Sequence, residues 1–184
     1  AKVPMKIGTF FTAQVFLQLN VVFCRYLRYL GNLMLLLKVN PELKDILFAD
    51  ASGEVFSLWS VNRNDENVEN ARWIYSNSNA FMLFIDCEAL LVDKNAAKQE
   101  VMLIARQLTH ELNDRPIIAV WSKSDKKTEV LPSLKDTLRT NLESLFSNYT
   151  EIEISNFLEP GPDEFVHINN LAVVDWLLEK IMIP

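Results

Sequence analysis

The sequence predicts an α/β fold, a three-layer αβα sandwich in which a mixed six-stranded sheet lies between two layers of helices. Two segments, Phe81–Ile85 and Ile117–Trp121, are apolar at every position, as expected for parallel strands that helices cover on both faces. Segments with helical periodicity lie between most of the strand-like runs. Two further runs are joined only by residues 40–44, a connection too short for a crossover between parallel strands. The sheet is therefore expected to be mostly parallel, with one antiparallel hairpin strand.

Each element follows from a local pattern of apolar residues and of residues that begin or end helices. Apolar positions recur every three or four residues through Ile104, Leu108 and Leu112, which is typical of an amphipathic helix. Pro132 precedes another such stripe and is suited to the first turn of a helix. The predicted strands are Val3–Ile7, Leu33–Val39, Asp45–Ala49, Phe81–Ile85, Ile117–Trp121 and Glu151–Ile154. The predicted helices are Thr12–Leu30, Asn67–Tyr75, Asn95–Leu112, Pro132–Tyr149 and Asp163–Ile183.

Composition restricts the class of protein. A chain of 184 residues that is 49% apolar can form one core, so we expect a single domain spanning residues 1–184. With 18 basic and 24 acidic residues the net charge is −6, and without clustered basic residues a nucleic-acid partner is not expected. Polar residues interrupt the apolar run 15–39, so no transmembrane segment is expected. Both cysteines lie in apolar segments, which favours free thiols in the reducing cytoplasm.

Two polar signals follow predicted strands. Asp50-x-x-Gly53 comes after Asp45–Ala49, and Ser122-Lys-Ser-Asp125 comes after Ile117–Trp121. With these motifs the chain resembles the Ras-like P-loop small GTPases over nearly its whole length, and especially bacterial GTPase-like domains that write the first motif as D-x-x-G-E. A flavodoxin-like or response-regulator fold is the alternative, and it requires the strands joined by residues 40–44 to be parallel.

The resemblance implies a role for each motif residue. It implies that Asp50 and Gly53 face the magnesium ion and the γ-phosphate, and that Lys123 and Asp125 contact guanine. It also implies that Ser155, with Asn156, takes the place of the family's short base-contacting turn. Glu54 occupies the position of a water-orienting glutamine, where a carboxylate would also repel the γ-phosphate. No catalytic residue is therefore assigned.

The phosphate-binding loop of this family, G-x-x-x-x-G-K-[S/T], is degenerate here. Gly8 retains the first glycine, while Ala13, Gln14 and Val15 replace the second glycine, the lysine and the magnesium-binding hydroxyl. In addition, the stretch from Gln14 to Ala51 contains no serine or threonine that could act as the family's switch threonine. The implied nucleotide site thus lacks a phosphate-binding cation and both hydroxyl ligands of magnesium. No metal site is assigned.

These deficits predict a pseudo-GTPase, a catalytically inactive interaction or scaffold module whose protein partner is a genuine GTPase or a larger assembly. No cofactor is then expected. The alternative is an atypical guanine-nucleotide switch that binds GTP or GDP with weak or no hydrolysis. A non-nucleotide α/β enzyme ranks third, since neither His110 nor His167 has a partner at a catalytic spacing. Trp59 and Trp73 have two interpretations, as anchors for a partner or as cover for the core.

Overall fold

The computed structural model describes residues 10–16, 33–39, 42–51, 53–110, 112–155, 169, 172–173, 175–177 and 179–180, with the backbone alone before residue 53. Its strands are β1 (Phe10–Phe16), β2 (Leu33–Val39), β3 (Glu42–Ala51), β4 (Ala80–Asp86), β5 (Ile117–Ser122) and β6 (Tyr149–Glu153). They form one sheet in the order β2-β3-β1-β4-β5-β6. β4, β5 and β6 are parallel, while β2 and β3 form an antiparallel hairpin with Val39 opposite Glu42.

The helices are α1 (Gly53–Val61), α2 (Glu69–Asn77), α3 (Cys87–Val92), α4 (Asn95–Thr109) and α5 (Pro132–Leu145), with short 3-10 turns at Glu66–Val68 and Ser124–Lys126. The described residues between 169 and 180 are helical, within the predicted last helix. The predicted α/β class is confirmed by the parallel strands and their helices. Among the described residues, no helix combines the length and the apolar content needed to cross a membrane.

The sequence pattern extends two helices too far and omits two others. The predicted helix Asn95–Leu112 ends at Thr109. The predicted helix Pro132–Tyr149 ends at Leu145, and Tyr149 instead begins β6 opposite Ile117. The backbone turns away from the helix at Phe146, which has extended φ and ψ. α3 is only six residues long, too short to show a helical period. α1 was not predicted either, because it directly follows the Asp50–Gly53 motif.

β1 contradicts the predicted helix that begins at Thr12. Residues 12–16 lie in a strand that is antiparallel to both β3 and β4; the rest of that helix and the strand Val3–Ile7 lie outside the described residues. Phe10–Phe16 is rich in aromatic and β-branched side chains, which favour strands, and it supplies the pairing that the facing edges of β3 and β4 require. Two strands, β1 and β2, therefore run against the other four, where one was predicted.

The core lies on both faces of β4 and β5, because alternate side chains of a strand point to opposite faces. On one face Phe81, Ile85 and Trp121 pack with residues of α1, α2, α4 and α5. On the other face Met82 and Val120 pack against helical residues near the chain end. This arrangement covers the parallel strands with helices on both sides.

Trp59 belongs to the first of these faces. It is 0% exposed, and its ring centroid lies 4.9 Å from that of Tyr75 and 5.8 Å from that of Phe56. Trp73 is half-buried and packs against the same core. The interpretation of Trp59 as core cover is thus confirmed, and its interpretation as an exposed anchor is wrong.

Candidate functional site

The carboxyl ends of β4, β5 and β6 meet at one edge of the sheet, since these strands are parallel. Asp86 and Ser122 end β4 and β5 as paired neighbours, and the chain continues from each into polar residues. β3 points the same way, because β1 is antiparallel to both β3 and β4. The fold thus brings the predicted guanine-contacting segments together at this edge.

The turn after β5 holds the predicted base-binding lysine in an uncommon conformation. Lys123 has φ 53° and ψ 47°, a left-handed geometry that few residues other than glycine adopt. The turn is fixed by the Ser124 N–H, which donates to the Ile154 carbonyl at 3.0 Å, and by the Ser122 hydroxyl, which lies 3.4 Å from the Ile85 carbonyl oxygen. Contacts with both neighbouring strands therefore determine where Lys123 is placed.

The ammonium group of Lys123 is paired with two carboxylates that the sequence pattern did not connect to it. Its Nζ lies 3.0 Å from Asp86 Oδ2 and donates to Glu88 Oε2. The hydrogen bond to Glu88 is the main reason that the pKa of Lys123 is raised, and Asp86 adds to the effect. Asp86 also caps α3 by accepting from the N–H groups of Glu88 and Ala89. Asp86 and Glu88 thus hold the lysine.

Asp125 and Ser155, both predicted base-site residues, are in direct contact. The Ser155 hydroxyl donates to Asp125 Oδ1 at 2.8 Å, and Asp125 is exposed at the sheet edge. An ionised carboxylate is purely an acceptor with two oxygens. It therefore has the chemistry required to accept from paired N–H donors such as those of guanine, and Ser155 fixes its orientation.

A buried lysine lies beneath this surface and was missed by the sequence pattern. Lys127 is 7% exposed; its Nζ lies 2.6 Å from Glu153 Oε1 and 4.0 Å from the centroid of the Trp121 ring. The Lys135 ammonium donates to the Lys127 carbonyl at 2.9 Å. Such contacts allow a cation to be buried, because it is both paired and placed over an aromatic face. Its only signal in the sequence is a second lysine after the Ser122–Asp125 motif.

Cys87 lies next to this ion pair and is buried. Burial is the main cause that raises the pKa of its thiol to about 11, and the carboxylates of Asp86, Glu153 and Asp125 add to the effect against the opposing charge of Lys127. Because the ordinary value is 9.0, the folded state keeps its proton longer than the unfolded state. This contribution to stability is complete below pH 9.0 and is lost as the pH rises to about 11.

We expect Cys87 to be nearly inert toward thiol reagents at pH 8, because the thiolate is the reactive form. In a Cys24→Ser background, Cys87 should react with a disulfide reagent at least about a hundredfold more slowly in the folded protein than after unfolding in guanidinium. The measurement is the time course of absorbance of the released thiolate. Equal rates before and after unfolding would contradict the burial and charge described for this thiol.

The phosphate half of the predicted site has a different arrangement. Ala13, Gln14 and Val15 lie within β1, opposite Phe48, Leu47 and Ile46 of β3. A phosphate-binding loop needs backbone N–H groups directed at the ligand. Residues 13–15 instead form extended strand paired with β3, and β4 continues the pairing on the other edge as far as Ala13. The predicted loop and helix start are therefore wrong for residues 10–15. The residues at this position do not fit a triphosphate; Gly8 lies outside the described residues.

The Asp50 motif is separated from the predicted base-contacting residues along the sheet. Through Phe11, Asp50 is aligned with Met82, four residues before Asp86, which corresponds to about 13 Å along a strand. Gly53 is buried at the start of α1, and Glu54 is exposed in its first turn. Among the side chains that the structure describes, no group of three or more His, Cys, Asp or Glu residues could hold a metal ion.

Comparison with known proteins identifies the family. A family model described as Double-GTPase 2 matches residues 25–177, well over half of the chain. The matched segment contains Asp50, Lys123, Asp125 and Ser155, and it begins after Gly8–Val15. Comparison with curated proteins and with solved structures gives no significant match. The chain thus belongs to the Double-GTPase 2 family, a family of GTPase-related domains.

Proposed function

We propose that this chain is a pseudo-GTPase, a GTPase-related domain that serves as an interaction or scaffold module and does not hydrolyse GTP. One observation carries the proposal: Ala13, Gln14 and Val15 lie inside β1, where all three pair with β3 and Ala13 also pairs with β4. Residues in that position cannot wrap the β- and γ-phosphates, which phosphoryl transfer requires to be held and charge-compensated. What remains for such a domain is recognition through its protein surfaces.

The contacts at the predicted guanine site are consistent with residues that now stabilise the fold. Lys123 is neutralised by Asp86 and Glu88, and Asp125 accepts from Ser155, so internal partners hold both guanine-contacting residues. The proposed partner is a protein, either a genuine GTPase or a larger assembly. The free, buried Cys87 favours a reducing compartment, and we place the module in the cytoplasm.

Single-turnover hydrolysis tests this proposal. With protein in excess over GTP and with Mg²⁺ present, we expect phosphate release at the rate of the buffer blank, because residues 13–15 lie in a strand and cannot wrap the γ-phosphate. Glu54→Gln, which restores the family's water-orienting residue, should leave that rate unchanged. Release that scales with protein concentration and is lost in Asp125→Ala would contradict the proposal, because it would require a productive nucleotide site.

The geometry of Asp125 favours a second candidate function, guanine binding without hydrolysis. The carboxylate is exposed and oriented by Ser155, and Lys123 lies two residues before it on the same turn. A base could dock on this turn with its phosphates exposed to solvent. In that case guanosine and GTP should bind with similar affinities, whereas a switch that reads phosphate should prefer GTP.

A further inference from the structure

The outer surface of α4 and α5 forms an open groove with positive charge at both ends. Lys98, Met102 and Arg106 follow one another at four-residue spacing, so they form one stripe on α4 about 12 Å long. Leu103 beside them is 47% exposed, and Asn141 of α5 forms the opposite side. Within the described part of the chain, neither Lys98 nor Arg106 has a carboxylate partner, although the chain carries a net charge of −6.

A complementary surface lies on α1. Glu54, Leu58 and Val61 are spaced by four and three residues, which places them on one side of the helix. All three are exposed, Leu58 by 52% and Val61 by 78%. Glu66 follows in the next turn and is exposed as well. This surface is acidic and apolar, with a carboxylate before and after its two apolar residues, and its charge is opposite to that of the groove on α4.

The helices that carry the two surfaces are neighbours on one side of the sheet. α1 packs against α4, and the Ser57 hydroxyl donates to Glu100 Oε1 at 2.8 Å between them. A two-fold axis near this seam would place each α1 stripe in the α4–α5 groove of the other copy, because a two-fold interface joins the same patches twice. If the two surfaces lay on opposite faces of the molecule, a two-fold dimer could not join both pairs at once.

We propose that a second copy of this chain docks here, with Leu58 and Val61 against the exposed Leu103 and over Met102, which is 8% exposed at the base of the groove, and with Glu54 and Glu66 facing Lys98 and Arg106. This inference rests on the proposed interaction function and adds self-association to it. The apolar residues supply contact area, while the charges at the rim determine orientation and make association dependent on salt.

Sedimentation velocity of the full chain over a protein concentration series tests the pairing. We expect a dimer at low ionic strength whose dissociation constant rises with salt, and at least about a tenfold weaker dimer for Lys98→Glu combined with Arg106→Glu. Mixing that variant with one carrying Glu54→Arg and Glu66→Arg should restore a heterodimer. Val92→Glu is the matched control, since Val92 is 72% exposed on α3 and lies outside both stripes; it should dimerise like the wild type.

Three outcomes would overturn the pairing: a wild-type monomer at every concentration, a dimer that the double charge reversal leaves unchanged, or no heterodimer from the reversed pair. Circular dichroism of each variant establishes that it is folded. GTP hydrolysis by the same preparation would contradict the proposed function and leave the mass measurement unaffected. Failure of the pairing and failure of the function are therefore distinguishable.

Discussion

Replacing Trp59 with alanine is expected to lower the free energy of unfolding by about 3–5 kcal/mol, the usual cost of deleting a large buried aromatic side chain. Trp59 is fully buried and contacts Phe56 and Tyr75. Its removal leaves a cavity among α1, α2 and the sheet that close packing cannot fill without strain. The measurement is urea unfolding followed by circular dichroism.

Two further variants serve as comparisons for Trp59→Ala. Val92→Ala, at a residue that is 72% exposed, should change the free energy by less than about 0.5 kcal/mol. Trp59→Phe should cost less than Trp59→Ala, because the Trp59 Nε1 has no hydrogen-bond partner in the described structure and phenylalanine removes that buried donor. If Trp59→Ala proved as stable as Val92→Ala, the position of Trp59 in the core would be contradicted.

Replacing Arg115 with methionine is expected to destabilise the fold by about 2–4 kcal/mol, since bonds from a charged donor contribute more than neutral ones. Its Nη1 donates to the carbonyls of Tyr75 at 2.6 Å and Ser78 at 3.0 Å, and its Nε donates to Leu112 at 2.9 Å. The guanidinium also lies 4.9 Å and 5.0 Å from the ring centroids of Tyr75 and Phe81. One side chain thus joins the end of α2 to the segment before β5.

Arg115→Lys separates the effect of the charge from that of the planar guanidinium group. Lysine keeps the charge but cannot donate in several fixed directions or stack as a plane, so we expect it to recover less than half of the lost stability. Urea unfolding of the three proteins under the same conditions gives the comparison. Full recovery by lysine would show that charge alone matters and would contradict the role assigned to the planar group.

The elements that were predicted correctly can each be recognised from a short stretch of sequence. β4 and β5 are apolar on both faces, and α4 and α5 repeat apolar residues at helical spacing, so a short window is enough to identify each. α3 is too short for such a window. β1 depends on distant partners instead: Phe10–Phe16 lies in an apolar region that suits a helix or a strand, and pairing with β3 and β4 decides between them.

In the candidate site, too, local motifs could be read from the sequence, whereas contacts between distant residues could not. Lys123, Asp125 and Ser155 were assigned to the site because their motifs follow predicted strands and resemble those of small GTPases, and this assignment stays a prediction. The partners of Lys123 could not be predicted, because Glu88 lies on another element and meets it only in the folded chain. Lys127 is similar, since its burial depends on Trp121 and Glu153.

Calorimetric titration with GTP, GDP and guanosine, with and without Mg²⁺, tests the central claim most directly. A pseudo-GTPase whose residues 13–15 lie in the sheet should give no binding heat with any of the three ligands at millimolar concentration. Equal heats for guanosine and GTP would instead support base recognition without phosphate. Binding of GTP that is tighter than that of guanosine, depends on Mg²⁺ and disappears in Asp125→Ala would contradict the account.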